Sequence, residues 1–344
     1  GLFLFIPAFF SGSLVIMHDT VLILFWTVAL FFSLRFILRK DNFSLYMTFI
    51  SLGLGFLGKH TMVFFAISLI FWLIISPKEL NLFKNKHFYI SFLIAFAIIS
   101  PMIYWNIWHN WDNIDAILNL RSAGGAEYEG SNVKSFIAGQ ILTISPLWFI
   151  AVLFLALKYF YFGIRSIQSR RTFTIVNSAD PFVSAYKFLT SDALILPIFF
   201  LYLSSKKMVQ ANWTFPSYPA ILILLVCLYP EKPENRNEKI QKYLILYGFI
   251  FALVIDLFSL FPNTFIKIAK FSNLPLSNPI ERYKGYKEAV MEINNLKNEK
   301  HPQSALVANR YQDASIASWY SPEKPFITSL NILQKNQVEL FGIN

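Results

Sequence analysis

Four stretches of the chain, 20–38, 87–105, 135–157 and 243–262, each run for about twenty residues with at most one charged side chain apiece. That is the length an α-helix needs to cross a hydrocarbon core about 30 Å thick, at about 1.5 Å of rise per residue. Composition agrees: 55% of the 344 residues are hydrophobic and only 15% charged, with 37 Phe. A polytopic bundle of membrane helices is therefore the predicted fold class, since a soluble protein would have to bury every one of these stretches on all sides.

Charge then sets the topology. The formal net charge is +10, but from residue 279 onward 8 basic residues face 7 acidic ones, so the excess lies among the apolar segments. There it reads as membrane orientation rather than as a nucleic-acid stripe. Fifteen basic residues fall in one set of connections, around Arg35–Lys40, Lys78–Lys86, Lys158–Lys187 and Lys232–Lys242. Only five, Lys59, Arg121, Lys134, Lys206 and Lys207, fall in the other. The positive-inside bias puts the first set in the cytoplasm and the second outside.

The apolar run 43–76 tests this assignment, because Lys59 and His60 interrupt it. As a single crossing it would place two basic clusters on opposite sides. It must instead go in and return, with arms of about 16 residues that span only about 24 Å. The tip at Gly58, Lys59 and His60 is thus expected to be recessed in a protein-lined cavity. Crossings are predicted at 20–38, 43–58, 61–76, 87–106, 135–157, 188–204, 214–229 and 243–262, with 1–14 the remnant of another. We assign 1–262 to a transmembrane domain, 263–278 to a linker and 279–344 to a small α/β extension outside the membrane. In that extension Tyr286, Ala289, Val290, Ile293 and Leu296 predict one helix, 304–309 a strand and 313–320 a second helix. Residue 1 is Gly with no basic segment before the apolar start, and the closing GIN carries no terminating feature. Sequence is expected beyond both ends.

Several residues could carry chemistry. Asp19 heads a membrane helix, where a carboxylate serves either as an N-terminal cap or as a functional group. Lys59 is too recessed to snorkel easily, so an anionic partner is expected, and a phosphate headgroup would suit a compact ammonium. The stretch 101–125 sets Tyr104, Trp105, Trp108 and Trp111 beside Asn106, His109, Asp112 and Arg121. It reads as an interfacial belt or as a carbohydrate platform. The turn KKMVQANWTFPSYPA offers Lys206, Lys207, Gln210, Asn212, Trp213 and Tyr218 on the same outer side. A lone Cys227 excludes an internal disulfide and a multi-cysteine metal site. No phosphate-binding loop, dinucleotide fingerprint, zinc-protease motif or nucleophile elbow is present, which leaves nucleotide hydrolysis unsupported.

GSLVIMHDTVLILFW, GLGFLGKHT, SPMIYWNIWHNW, GQILTISPLWF, QANWTFPSYPA, YKGYKEA, NRYQDASIASWY and NQVELF occur in that order. Together they resemble the family 39 membrane glycosyltransferases, related to protein O-mannosyltransferases and to the lipid A aminoarabinose transferase. The resemblance implies a GT-C fold and transfer of a sugar from a polyprenyl-phosphate donor to a lipid, glycan or protein acceptor at the outer face of the bacterial inner membrane. It implies a catalytic role for Asp19, a lipid-phosphate role for Lys59 with His60 beside it, and substrate-cavity or loop-ordering roles for His109, Arg121, Gln140, Asn212, Trp213 and Tyr311. It requires no cofactor and leaves a divalent metal open. The family's principal acidic motif belongs to a first external loop upstream of residue 1, and Asp19 matches the second acidic position. Two alternatives stand beside this reading: a transporter or flippase of a lipid-linked anion, and a truncated, inactive family member.

Overall fold

The structure is a computed structural model that describes residues 18–111, 131–152, 181–206, 209–227, 229–261, 264, 267, 285–309, 311–325 and 327–329. The described residues divide into two units, one built from 18–108 and 131–259, the other from 109–111 and 260–329.

The described elements of the first unit are all helices. Helix α1 (His18–Arg39) runs away from Asp19; after a two-residue turn α2 (Asn42–Gly58) returns beside it. The return is set by Asp41, which caps α2: its carboxylate accepts the Ser44 backbone N–H and the Ser44 hydroxyl, each at 2.8 Å, and Arg35 lies 3.4 Å away. A short 3-10 turn, His60–Met62, leads into α3 (Val63–Ile75). The predicted in-and-return hairpin is therefore present, but its arms take different partners. Helix α2 lies between α1 and α4 (Lys86–Trp108), whereas α3 packs on α7 (Pro181–Ser204).

Among the described residues four helices are long and apolar enough to cross a membrane, 19–39, Lys86–Trp108, Pro181–Ser204 and Arg236–Leu257, or up to six crossings if two bent helix pairs each count as one. One of those pairs falls within the crossing expected at 135–157, of which residues 153–157 lie outside the described ones, and it is sharply bent. Helix α5 (Ser131–Ile144) stops at Ser145, and α6 (Pro146–Val152) leaves at 104° to it. The cause is local. Pro146 disfavours a helical conformation in the residue before it, and Ser145 adopts φ of 97°, in the left-handed region. The Ser145 hydroxyl donates to the Gly248 carbonyl at 3.1 Å, holding the break against a neighbouring helix, α9 (Arg236–Leu260). The other pair is α3 with the 3-10 segment Pro77–Lys84, bent by 113°. The expected crossings at 43–58 and 214–229 appear as shorter apolar helices, 42–58 and 211–227.

The core is aromatic and tight. Trp26, Phe65, Trp72 and Phe188 are buried and meet edge to face at 5.3 to 5.9 Å, joining α1, α3 and α7. Trp26 also donates its indole N–H to Asp192 of α7 at 3.1 Å. The outward faces are equally apolar: Leu24, Phe31, Ile74, Phe92 and Leu93 are all more than half exposed. Apolar side chains on both faces of the same helices fit a lipid surround rather than water. The chain is thus a multi-pass membrane protein by helix length and composition.

The second unit is a small α/β arrangement. Helix α10 (Tyr286–Lys300) and α11 (Tyr311–Tyr320) pack together, and β1 (Val307–Ala308) pairs in parallel with β2 (Thr328–Ser329). The predicted helices and strand occur, but the buried stripe of α10 is shifted. Val290 is buried, while Ile293 and Leu296 are 49% and 45% exposed. Asn294 turns inward instead, donating to the Ser321 hydroxyl at 2.9 Å.

Candidate functional site

Chain geometry brings Asp19 and Lys59 together. Gly58 ends α2 against the start of α1, and a Cβ on Gly58 would lie 2.9 Å from Val21 Cγ1. Because no side chain stands there, the two backbones close up two residues from Asp19. Lys59 then takes an extended conformation between α2 and the 3-10 turn, its N–H bonded to Gly55 O at 3.0 Å.

The result is a three-membered cluster. The Lys59 ammonium donates to Asp19 Oδ1 in a close ion pair, and Asn212 Nδ2 donates to Asp19 Oδ2 at 3.1 Å. Their neighbours leave the Asp19 side chain 10% and the Lys59 side chain 20% exposed. Asp19 is therefore bound through both oxygens to side chains from distant segments, which goes beyond the duty of a cap. Its position in the first turn of α1 adds the favourable helix dipole, worth a few tenths to about 1 kcal/mol. The anion expected for Lys59 is, in this structure, a carboxylate of its own chain.

Asn212 sits on the 3-10 segment Ala211–Ser217, which leads into α8 (Tyr218–Cys227). Behind it Gln140 of α5 donates to Ala211 O at 3.0 Å and accepts from Thr214 Oγ1 at 2.6 Å and from Tyr218 OH at 2.8 Å. Thr143, one turn along α5, lies 2.8 Å from the same Tyr218 hydroxyl. His60, half-buried beside Lys59, sets its ring edge-on to Phe56 at 5.4 Å. Trp213 packs on Phe200, 5.4 Å between centroids.

Of the expected site residues, then, Asp19, Lys59 and Asn212 touch, Gln140 reaches them through Ala211, and His60 and Trp213 flank them. His109 follows α4 in the turn 109–111 and belongs to the second unit. Arg121 and Asp112 lie outside the described residues, as does the side chain of Tyr311, the first residue of α11. Thr143, Thr214 and Asp192 were not singled out in the sequence. A signal existed for Thr143 and Asp192, polar residues inside predicted crossings, whereas Thr214 lies in a turn already rich in polar residues. Among the described residues no group of three His, Cys, Asp or Glu is placed to hold a metal ion.

The opposite end of the first unit carries a second set of charged contacts. Lys40 pairs with Glu79, Ser184 donates to Glu79 at 2.8 Å, and Lys187 donates to the Ile75 carbonyl at 2.8 Å. Three of the connections grouped by charge in the sequence thus meet at the end away from Asp19.

Residues 1–105 match the family described as dolichyl-phosphate-mannose-protein mannosyltransferase. The resemblance read from the sequence holds over that stretch, which includes Asp19, Lys59 and His60 but not Gln140, Asn212 or Trp213. No curated protein and no solved structure matches the chain.

Proposed function

We propose that the chain is a membrane glycosyltransferase that moves a sugar from a polyprenyl-phosphate donor to a membrane-associated acceptor at the outer face. The observation that carries this reading is the Asp19–Lys59–Asn212 cluster, a carboxylate and an ammonium held together at the end of the bundle away from the basic connections. The family match over residues 1–105 supplies the reaction class, and the positive-inside bias supplies the face.

The chemistry follows from the two charges. Breaking the bond between the sugar C1 and a phosphate oxygen leaves a polyprenyl phosphate with extra negative charge, and a fixed ammonium stabilises it as it forms. The acceptor hydroxyl must lose its proton as its oxygen bonds to C1, and the Asp19 carboxylate, which matches the second acidic position and not the principal one, assists by accepting a hydrogen bond from that hydroxyl. In the resting arrangement Lys59 occupies Asp19 Oδ1. Donor phosphate drawing Lys59 to itself frees that oxygen for the acceptor, while Asn212 keeps the carboxylate aimed through Oδ2. No step needs a nucleotide, and none is routed through a metal.

The test is transfer of radiolabelled sugar from polyprenyl-phosphate mannose, and from the corresponding aminoarabinose and glucose donors, in native membranes containing the full-length protein. Wild type is expected to transfer from one of these donors, and Asp19→Asn and Lys59→Ala to lose the activity per mole of protein recovered in the membrane. Full transfer by both variants, or movement of the intact donor across the bilayer with no sugar released, would overturn the reading, the latter in favour of a flippase.

A further inference from the structure

We infer that Gln140 is a positioning residue for the Asp19 site, acting through the Ala211–Ser217 segment, and not a group that touches the sugar. This inference rests on the reading of Asp19 and Lys59 as the reacting pair. Gln140 is 7% exposed, and the three hydrogen bonds of its amide all go to a single piece of chain. Both lone pairs of Oε1 are filled, by the Thr214 and Tyr218 hydroxyls, and one of the two Nε2 hydrogens holds the Ala211 carbonyl. No acceptor capacity is left for a substrate hydroxyl.

The residue next to that anchored carbonyl is Asn212, whose amide holds Asp19 Oδ2. Backbone approach makes the anchor possible: a Cβ on Gly139 would lie 2.7 Å from Ala211 Cβ, so glycine there lets α5 come close enough for Gln140 to reach. The Tyr218 hydroxyl, tied to Thr143 as well, locks the far end of the same segment to α5. A 3-10 segment of seven residues gains little rigidity from its own hydrogen bonds, because its geometry is poorer than that of an α-helix. Four side chains, the buried Gln140, Thr214 and Tyr218 and the half-buried Thr143, supply the missing definition, and Asn212 inherits it.

Acylation of Lys59, followed by mass spectrometry of the full-length protein in lipid nanodiscs, reads this coupling without any sugar donor. An ammonium paired with a carboxylate is protected from an amine-acylating reagent, so Lys59 reports how well Asp19 is held. Asn212→Ala is expected to raise the initial acylation rate about fivefold, the scale of one contact coupling. Gln140→Leu should do nearly the same, and the double variant no more than Asn212→Ala alone. Tyr218→Phe and Thr214→Val, which each delete one hydrogen bond and keep the shape, should give smaller increases in the same direction and serve where Gln140→Leu does not fold. A Gln140→Leu or Tyr218→Phe protein that acylates Lys59 at the wild-type rate would overturn the inference, as would a double variant whose increase is the product of the two single ones. Loss of the glycosyltransferase reading would appear separately, as absent transfer with this coupling intact.

Discussion

At the scale of single residues, Lys59 is the feature the chain must account for. Its place in an apolar run marked it as constrained, but the carboxylate it pairs with lies 40 residues earlier. Sequence spacing carries no trace of a contact made by two helix ends meeting. Removing one partner leaves a mostly buried charge, and breaking such a pair costs about 3–5 kcal/mol. Lys59→Met and Asp19→Asn are therefore each expected to lower the thermal unfolding temperature in detergent. The double variant should recover most of the loss, because neither charge is then left alone; a double variant as unstable as the two losses added would contradict the pairing. Asp41 offers a second test. Burial raises its carboxyl, but the Ser44 backbone and hydroxyl bonds, together with the charge of Arg35, outweigh that and hold it below the usual carboxylate range. A carboxyl lowered by folding stabilises the protein above its unfolded-state pKa, and the contribution is lost as pH falls through the folded-state value. Wild type should accordingly lose stability on acidification that Asp41→Ala does not lose.

At the scale of elements, the positions of the long apolar helices were legible because lipid demands unbroken apolar length. The hairpin through Lys59 was legible because of charge bias on its flanks. The break in 135–157 was missed although Pro146 was in plain view, since hydropathy averages over a single proline. Its geometry needs Ser145 in the left-handed region, where a β-branched residue is strained. Ser145→Val should cost about 2 kcal/mol through that strain and the lost bond to Gly248 O, whereas Ser145→Gly, which relieves the backbone, should cost less than 1 kcal/mol. Equal losses in thermal unfolding would show that the backbone is not strained there. In α10, helical periodicity identified the helix but chose the wrong face. Asn294 has a hydroxyl partner in Ser321, and a partnered polar group can be half-buried while Ile293 and Leu296 stay exposed.

At the scale of the whole molecule, the first unit has two chemically different ends. Asp19, Lys59 and Asn212 meet at one; Lys40, Glu79, Ser184 and Lys187 meet at the other. In a variant with Cys227 replaced, single cysteines at Lys78 and Ser205 should label from opposite sides of the membrane, Ser205 from outside in intact cells. Labelling of both from one side would dismantle the orientation.

The most direct measurement of the central claim is the affinity of the full-length protein in nanodiscs for polyprenyl phosphate, the product every donor of this class leaves behind. Wild type is predicted to bind it at least about tenfold more tightly than Lys59→Met, the 1.4 kcal/mol or more that one fixed cation gives a phosphate. Equal affinities for the two proteins would contradict the assignment of Lys59 to the donor phosphate.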